Sequence, residues 1–504
     1  MHGNPSGLLQ RPARAFLTLF AAACVIGLVT IRFSPPLVVW RAWSLRPEIF
    51  DQSETGRAQV ALWQVDHLGK EIEHPHHKVQ RWRLLFPTVA AVMRLPAPVH
   101  LALYPAGAIL AVAFLAEVLR RARLPTWQTF AALAAVTANG WFFTATGWLA
   151  YCDGWVALGL LVVAFSARWQ AVLVAALLLP WADDRFILGT PLALAVAWLM
   201  DREQPRQEGL SFVHRVIIAG AGIAVAVFGR AILAAMAGAG LNAAPLPPLG
   251  HPDAMLAAGF WHNLRAAWLL IPVAIAGIAL RHGSRMAAIL AILATCCFAV
   301  PYAAAYDQSR AAVVLLPLAV IGVFELVGSS RWWPMLPAIA AANLVLPASH
   351  MMLLGFSQID PLWTELHRLR HPPKRYCPDD YAVAAVVQSA AGNSRDAAWL
   401  LGIASSLQCE PELLARTGAL LALDAGRPEA AVESLRACVA AGPVSIETEA
   451  LLAVSLATTG EVIEARSIAA RLLTQVSPAH PCRAILIRLL AESDAAVPHS
   501  DGSD

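Results

Sequence analysis

Charge is what this sequence has least of. Only 14% of its 504 residues are Asp, Glu, Lys or Arg, against roughly 25% in an average soluble domain. Apolar residues reach 58%, and mean hydropathy is +0.58. The shortage of charge excludes one soluble globular domain, and the apolar excess excludes disorder. Lysine is nearly missing: Lys70, Lys78 and Lys374 are the only three, so positive charge here means arginine. The eight cysteines contain no C-x-x-C pair and no zinc spacing. No basic cluster follows Arg375, and residues 360–504 hold 12 basic against 18 acidic groups. That tail argues against nucleic acid as a partner.

The charge that exists is uneven. Residues 360–504 carry 30 of the 71 charges and residues 41–83 carry 13, which leaves 28 for the other 316 residues. Uncharged apolar runs recur from 15 to 355, several of them only 14–15 residues long and bounded by single charges at Asp153, Arg168, Asp183 to Arg185, Arg230 and Arg310. A spanning helix needs about 20 residues. Either the helices are short or tilted, with their charges at the interface, or ionisable groups lie inside the membrane, where they are usually functional. Trp127, Trp148, Trp155, Trp169, Trp181, Trp198, Trp261, Trp332 and Trp333 fall near run ends, as an interfacial belt does. The expected fold class is all-α: a polytopic membrane domain of about 11 spans over 1–355, followed by a soluble helical region.

With a cytoplasmic N-terminus, the short inner loops hold 12 arginines and the short outer loops four, the asymmetry expected of that orientation. Counting loop 41–83 and Arg368 to Arg375 changes the totals to 12 and 15, so charge alone leaves orientation open. Ala21-Ala22-Ala23-Cys24 faintly resembles a lipoprotein cleavage site without its usual Leu; a retained first helix is the better reading.

The tail has a period. Gly392, Gly426 and Gly460 are 34 residues apart, with Ala397, Ala431 and Ala465 five residues after them and Ala385, Ala419 and Ala453 seven before. Small residues let two helices approach, and glycine fits the turn between them. The pattern resembles the tetratricopeptide repeat. It implies a helical-hairpin repeat domain over 378–492, joined by a linker at 356–377, ending in a capping helix and a disordered tail at 493–504, and acting as a module that binds a protein partner. An unrelated Ala-rich bundle is the alternative. Cys377, Cys409, Cys438 and Cys482 lie in this tail, either as disulfides with three pairings open or as free thiols.

The polar segment 41–83 carries the chemical signals. It contains Glu48, Asp51, Glu54, Asp66, Glu71 and Glu73, then His74-Pro75-His76-His77, then Arg81-Trp82-Arg83-Leu84-Leu85-Phe86-Pro87. A first helix, a long loop with an early acidic residue (Asp51), an Arg-Leu-Leu-x-Pro segment at Arg83, a second acidic site at Tyr151-Cys152-Asp153, then Asp183-Asp184-Arg185 and Asp307-Gln308-Ser309-Arg310 come in an order that resembles GT-C-fold glycosyltransferases. Gly56, where an aromatic is common, departs from the pattern. The resemblance covers roughly 14–355. It implies an inverting transferase in a bacterial inner membrane, with loop 41–83 and the C-terminal region outside the cytoplasm. Such an enzyme moves a sugar from a polyprenyl-phosphate carrier to an envelope glycan, lipid or protein.

That chemistry needs a carboxylate to orient or deprotonate a sugar hydroxyl and cationic donors for the departing phosphate. Asp51 is the expected base, with Glu54 second and Asp153 assisting. Arg83, Arg310 and Arg185 are the expected phosphate ligands, against the plainer reading of arginines snorkelling to headgroups. His74, His76 and His77, with Asp66 or Glu71, are weak metal candidates. Pro75 breaks any helical register there, so solvated histidines are preferred and no metal site is assigned; a divalent metal is the one cofactor left open. The expected partners are a polyprenyl-phosphate-linked sugar and membrane lipid. Two alternatives stand beside the enzyme: a non-enzymatic assembly protein recruiting partners through its tail, and a lipid-linked saccharide transporter.

Overall fold

The computed structural model describes residues 6–37, 56–70, 78–203, 210–236, 253–304, 308–352, 355–370, 394–406, 411–476 and 482–494, with isolated positions at 382, 385, 386 and 389. The chain divides into two compact units, one of residues 1–37 and 51–366, the other of 38–50 and 367–504. Nearly all described structure is helical.

Six helices of the first unit are long and apolar enough to cross a membrane: Ala13–Arg32, Ala97–Arg121, Phe212–Met236, Ala257–His282, Ser284–Ala303 and Arg310–Gly328. Shorter apolar helices at Asp153–Phe165, Trp169–Trp181 and Met335–Val345 lie between them. Burial separates inner from outer helices. The window in Arg310–Gly328 is 78% buried, whereas that in Phe212–Met236 is 17% buried and turns Ile217, Phe228 and Ile232 outward. A helix that is apolar on its exposed face is suited to lipid, and one apolar all round belongs in the core. The core helix therefore carries Arg310 at its start.

In chain order the helices are α1 (Ser6–Arg32), α2 (Gly56–Asp66), α3 (Leu85–Met93), α4 (Ala97–Arg121), α5 (Thr126–Thr137), α6 (Gly140–Gly147), α7 (Asp153–Phe165), α8 (Trp169–Leu178), α9 (Arg185–Glu203), α10 (Phe212–Met236), α11 (Asp253–Leu264), α12 (Leu270–His282), α13 (Ser284–Ala304), α14 (Leu316–Gly328) and α15 (Met335–Val345). Gly107 on α4 and Gly154 on α7 set a close backbone approach between these two helices. A Cβ on Gly154 would fall 2.2 Å from the Ala108 nitrogen, and one on Gly107 2.5 Å from the Trp155 ring. The contact fixes the start of α7, where Asp153 sits.

Three features depart from expectation. Segment 41–83 is not loop throughout, since α2 and a 3-10 turn at Lys78–Trp82 lie within it. Strands β1 (Ala348–Met352) and β2 (Gly355–Ile359) form an antiparallel hairpin pairing His350 with Ser357, so the chain is not purely helical. The hairpin and α16 (Leu362–Arg370) occupy ground expected as linker. The first unit holds them by backbone bonding, with Ser34 N–H donating to Asp360 O at 2.8 Å and Leu37 N–H to the Glu365 carboxylate at 3.1 Å.

Helix α15 shows how buried arginine is accommodated without a carboxylate. A helix leaves its last four carbonyls unsatisfied and carries partial negative charge there. Arg32 donates to Leu344 O at 2.9 Å and Val345 O at 3.0 Å; Arg265 donates to Asn343 O and Leu346 O, and to Ala138 O at 3.1 Å. Two guanidinium groups thus serve all four terminal carbonyls. Arg265 is fully buried with a left-handed φ of 53°, and it breaks Ala257–His282 into α11 and α12. The Asn343 side chain closes the joint, accepting from Ala266 N–H at 2.8 Å and donating to Asn139 at 3.0 Å.

The second unit contains α17 (Ser394–Ser406), α18 (Pro411–Asp424), α19 (Pro428–Ala441), α20 (Ile446–Thr459), α21 (Val462–Leu473) and α22 (Cys482–Asp494), each packed on the next. Gly426 and Gly460 both close a Schellman turn. Arg427 N–H reaches Ala422 O at 2.8 Å and Glu461 N–H reaches Leu456 O at 2.8 Å, with glycine φ of 68° and 88°. Ala385, Ala397, Ala419, Ala431, Ala453 and Ala465 are buried. Gly392 lies outside the described residues. Cys438 is a free thiol; Cys377 and Cys409 fall outside the described residues.

Candidate functional site

Five charged side chains from four chain segments meet at one end of the first unit's core. Asp153 starts α7, Asp183 and Arg185 precede and start α9, Arg310 lies in the 3-10 turn Gln308–Leu315 leading into α14, and Arg83 precedes α3. Local anchors place each of them. Asn263 on α11 accepts from Ala312 N–H at 2.7 Å and pins the turn carrying Arg310. Gln64 donates to Gln80 O at 2.8 Å, Arg81 donates to Gly69 O at 2.6 Å, and Phe86 packs on Tyr104 and Trp155, which together fix the approach of Arg83.

Arg185 is the hub. Its Nε and Nη2 grip both oxygens of Asp183 at 2.9 and 2.8 Å, and its Nη1 reaches Asp153 Oδ1 at 2.6 Å. Arg310 Nη1 takes the other Asp153 oxygen at 3.0 Å, and its guanidinium lies 4.5 Å from the Tyr151 ring. Arg83 Nη2 is 3.2 Å from Asp183 Oδ2. The bidentate fork is the geometry arginine offers carboxylates and phosphates. Burial alone would raise the Asp183 carboxyl, but Arg185 and Arg83 outweigh it and hold it well below the usual carboxylate range.

Among the described residues three guanidiniums meet two carboxylates. Asp153, Asp183, Arg185 and Arg310 are buried, whereas the Arg83 side chain keeps 15% of its surface. Arg83 Nε is a buried donor without a hydrogen-bond partner among the described residues. The partly exposed Arg83 guanidinium is the donor that an anion reaching this end of the core meets. Asp153 has both oxygens engaged; its part is to aim Arg185 and Arg310.

Around the cluster lie rings. The His350 ring on β1 lies tilted 4.2 Å from Trp148 and edge-to-face 5.9 Å from Tyr151. The Trp148 indole N–H and both His100 ring nitrogens are buried without partners among the described residues. Ala150 takes a left-handed φ of 62°, an uncommon strain for a residue with a Cβ. Nearby in sequence, Asp184 pairs with Arg230, which also donates to Pro180 O.

Of the residues singled out from sequence, Asp153, Arg185, Arg310 and Arg83 come together. Asp51 and Glu54 lie outside the described residues, as do His74, His76 and His77. Among the described residues no group of three His, Cys, Asp or Glu side chains is placed to hold a metal. Sequence reasoning named Asp183 only within Asp183-Asp184-Arg185, without a role, and passed over His350; an acid pair at the end of a short apolar run was the available signal for Asp183, and His350 had none. No protein-family model, no curated protein and no solved structure matches this chain.

Proposed function

We propose that this is a GT-C-like, inverting membrane glycosyltransferase that takes a sugar from a polyprenyl-phosphate carrier and gives it to an envelope glycan, lipid or protein. The observation that carries the reading is the arginine cluster: among the described residues, three guanidiniums aimed by two buried carboxylates, with Arg83 partly exposed, at the end of a membrane helix bundle. A sugar phosphodiester carries one negative charge, and cationic donors stabilise it as it departs. In this reading Arg83 and Arg310 meet the phosphate and Arg185 supports them. Asp51 takes the acceptor proton, with Glu54 second.

The finer architecture belongs to the same reading. The six long helices and three short apolar ones, with α5–α6 and α9 adding two more, make about 11 spans, loop 41–83 and the C-terminal unit face outward from a bacterial inner membrane, and residues 378–492 are tetratricopeptide-like hairpins that bind a protein partner. A reporter active only in the cytoplasm stays silent when fused after Asp504.

The test is glycan and lipid analysis of the cell envelope in a deletion strain complemented at matched protein level. Asp51→Asn lowers product formation by ~10²–10⁴-fold, as loss of a general base does; Glu54→Gln is the comparison that decides between the two acids. Full complementation by a double Asp51→Asn, Arg83→Gln variant would leave the transferase without its chemistry and favour the assembly-protein alternative.

A further inference from the structure

A second site lies at the opposite end of the same bundle. Asp153 and Arg185 begin α7 and α9, and these helices run 12 and 18 residues on to Phe165 and Glu203. At 1.5 Å per residue this is ~18 and ~27 Å away from the arginine cluster. There the C-terminal ends of α4, α7, α9, α12 and α14 surround a cavity of about 530 Å³, within the ~300–1,000 Å³ range of small-molecule sites.

Its wall is apolar, built from Phe165, Met200, Ile321, Phe324 and Val327, and its charged lining is Arg121, Glu203 and Arg281. Arg281 lies 3.3 Å from Glu203 and also pairs with Glu325; Arg121 bonds Glu117 at 2.7 Å with half its side chain exposed. Both signs of charge therefore stand over an apolar chamber. Trp127 and Trp169 at the starts of α5 and α8, and Trp332 and Trp333 in the turn before α15, are exposed at this end, and Trp127 meets Trp333 edge-to-face at 5.1 Å. Exposed tryptophans mark the headgroup level of a bilayer, so the cavity opens where lipid headgroups lie.

We propose that this cavity binds one glycerophospholipid with a primary-amine head. The phosphate meets Arg121 and Arg281, the ammonium donates to Glu203, and the glycerol and first methylenes enter between Phe165, Ile321 and Phe324. A purely anionic head would bring nothing to Glu203. A trimethylated head has no N–H to donate. The site is independent of the proposed transferase chemistry, and no step of that chemistry passes through it.

Native mass spectrometry of the full-length protein, released from nanodiscs containing equal phosphatidylethanolamine, phosphatidylglycerol and phosphatidylcholine, tests the proposal. One phosphatidylethanolamine should be retained about ten-fold over either competitor, a selectivity of ~1.4 kcal/mol. Arg121→Gln and Glu203→Gln should each remove most of that preference, and Val327→Trp, which fills the chamber while leaving the charges, should remove the bound lipid. If Val327→Trp is not recovered folded, the two polar variants decide alone. Equal retention of the three lipids, preference for phosphatidylglycerol, or unchanged preference in both polar variants would overturn it.

Discussion

The first unit buries arginine in two ways. Arg185 and Arg310 are neutralised by the carboxylates of Asp153 and Asp183, and Arg83 joins them from a less buried position. Arg265, with Arg32 beside it, is neutralised by the carbonyl end of α15 and by the ring faces of Phe33 and Phe143. In the second arrangement each terminal carbonyl has a donor and the cation stays where the helix dipole favours it, although Arg265 Nε is itself buried without a hydrogen-bond partner among the described residues. The first sets three guanidiniums against two carboxylates among the described residues, and its Arg83 side chain, unlike Arg265, keeps 15% of its surface. A cation enclosed by a helix end holds a fold together, whereas a partly exposed one at a core's end can receive a ligand.

That contrast can be broken by substitution. Asp153→Asn has the largest expected effect, because it strips two buried guanidiniums of their shared counter-ion; losing one partner of a buried pair costs ~3–5 kcal/mol. Thermal unfolding in detergent should show it, and a wild-type midpoint would mean the cluster is not held as described. Arg265→Met should follow, at ~2–4 kcal/mol for orphaning several buried carbonyls at once, with Arg265→Lys failing to restore stability because an ammonium lacks the fork that spans them. Lysine rescue would assign Arg265 to charge alone.

Arg83→Gln separates the two classes. It should lower product formation ~10²–10³-fold, as removal of an oxyanion donor does, while unfolding shifts by no more than ~1 kcal/mol, since Arg83 is the least buried of the three. A variant that unfolds like Asp153→Asn and keeps its activity would place Arg83 with the structural arginines.

The smallest effect belongs to the second unit. Glu412, at the start of α18, accepts from Ser445 N–H at 2.8 Å and Thr448 Oγ1 at 2.7 Å at the start of α20. Burial pushes its carboxyl up, but these hydrogen bonds and Arg416 prevail and keep it below its ordinary value. A depressed folded value means stability present above the unfolded carboxyl range and lost as pH falls through the folded value. Glu412→Gln should cost about 1 kcal/mol and flatten that acid limb; an unchanged pH profile would remove Glu412 from the account.

Much of this architecture was legible in residue pattern. Apolar runs broken by single charges marked the bundle, and Gly426 and Gly460 marked the tail's turns, because glycine at φ > 0 is a local requirement that sequence records directly. The meeting of Asp153, Arg185 and Arg310 was legible only as isolated charges on alternating run ends. Their pairing depends on which helices are neighbours, and hydropathy does not encode that. Asp183 was hidden beside Asp184, where adjacent acids look alike until one forks onto Arg185 and the other turns to Arg230. Arg265 read as a loop charge because nothing local signals that a left-handed residue will cap a helix some 80 positions later. The hairpin at Ala348–Ile359 continued an apolar run, and short apolar runs do not distinguish strand from helix.

The central claim is that the arginine cluster receives a lipid-linked phosphate. Equilibrium binding of a radiolabelled short-chain polyprenyl phosphate to the purified full-length protein in nanodiscs tests it most directly, comparing wild type with Arg83→Gln and with Arg121→Gln at the far end of the bundle. The account predicts saturable binding that weakens about ten-fold or more in Arg83→Gln and is unchanged in Arg121→Gln. Equal binding by wild type and Arg83→Gln, or no saturable binding to either, would contradict it.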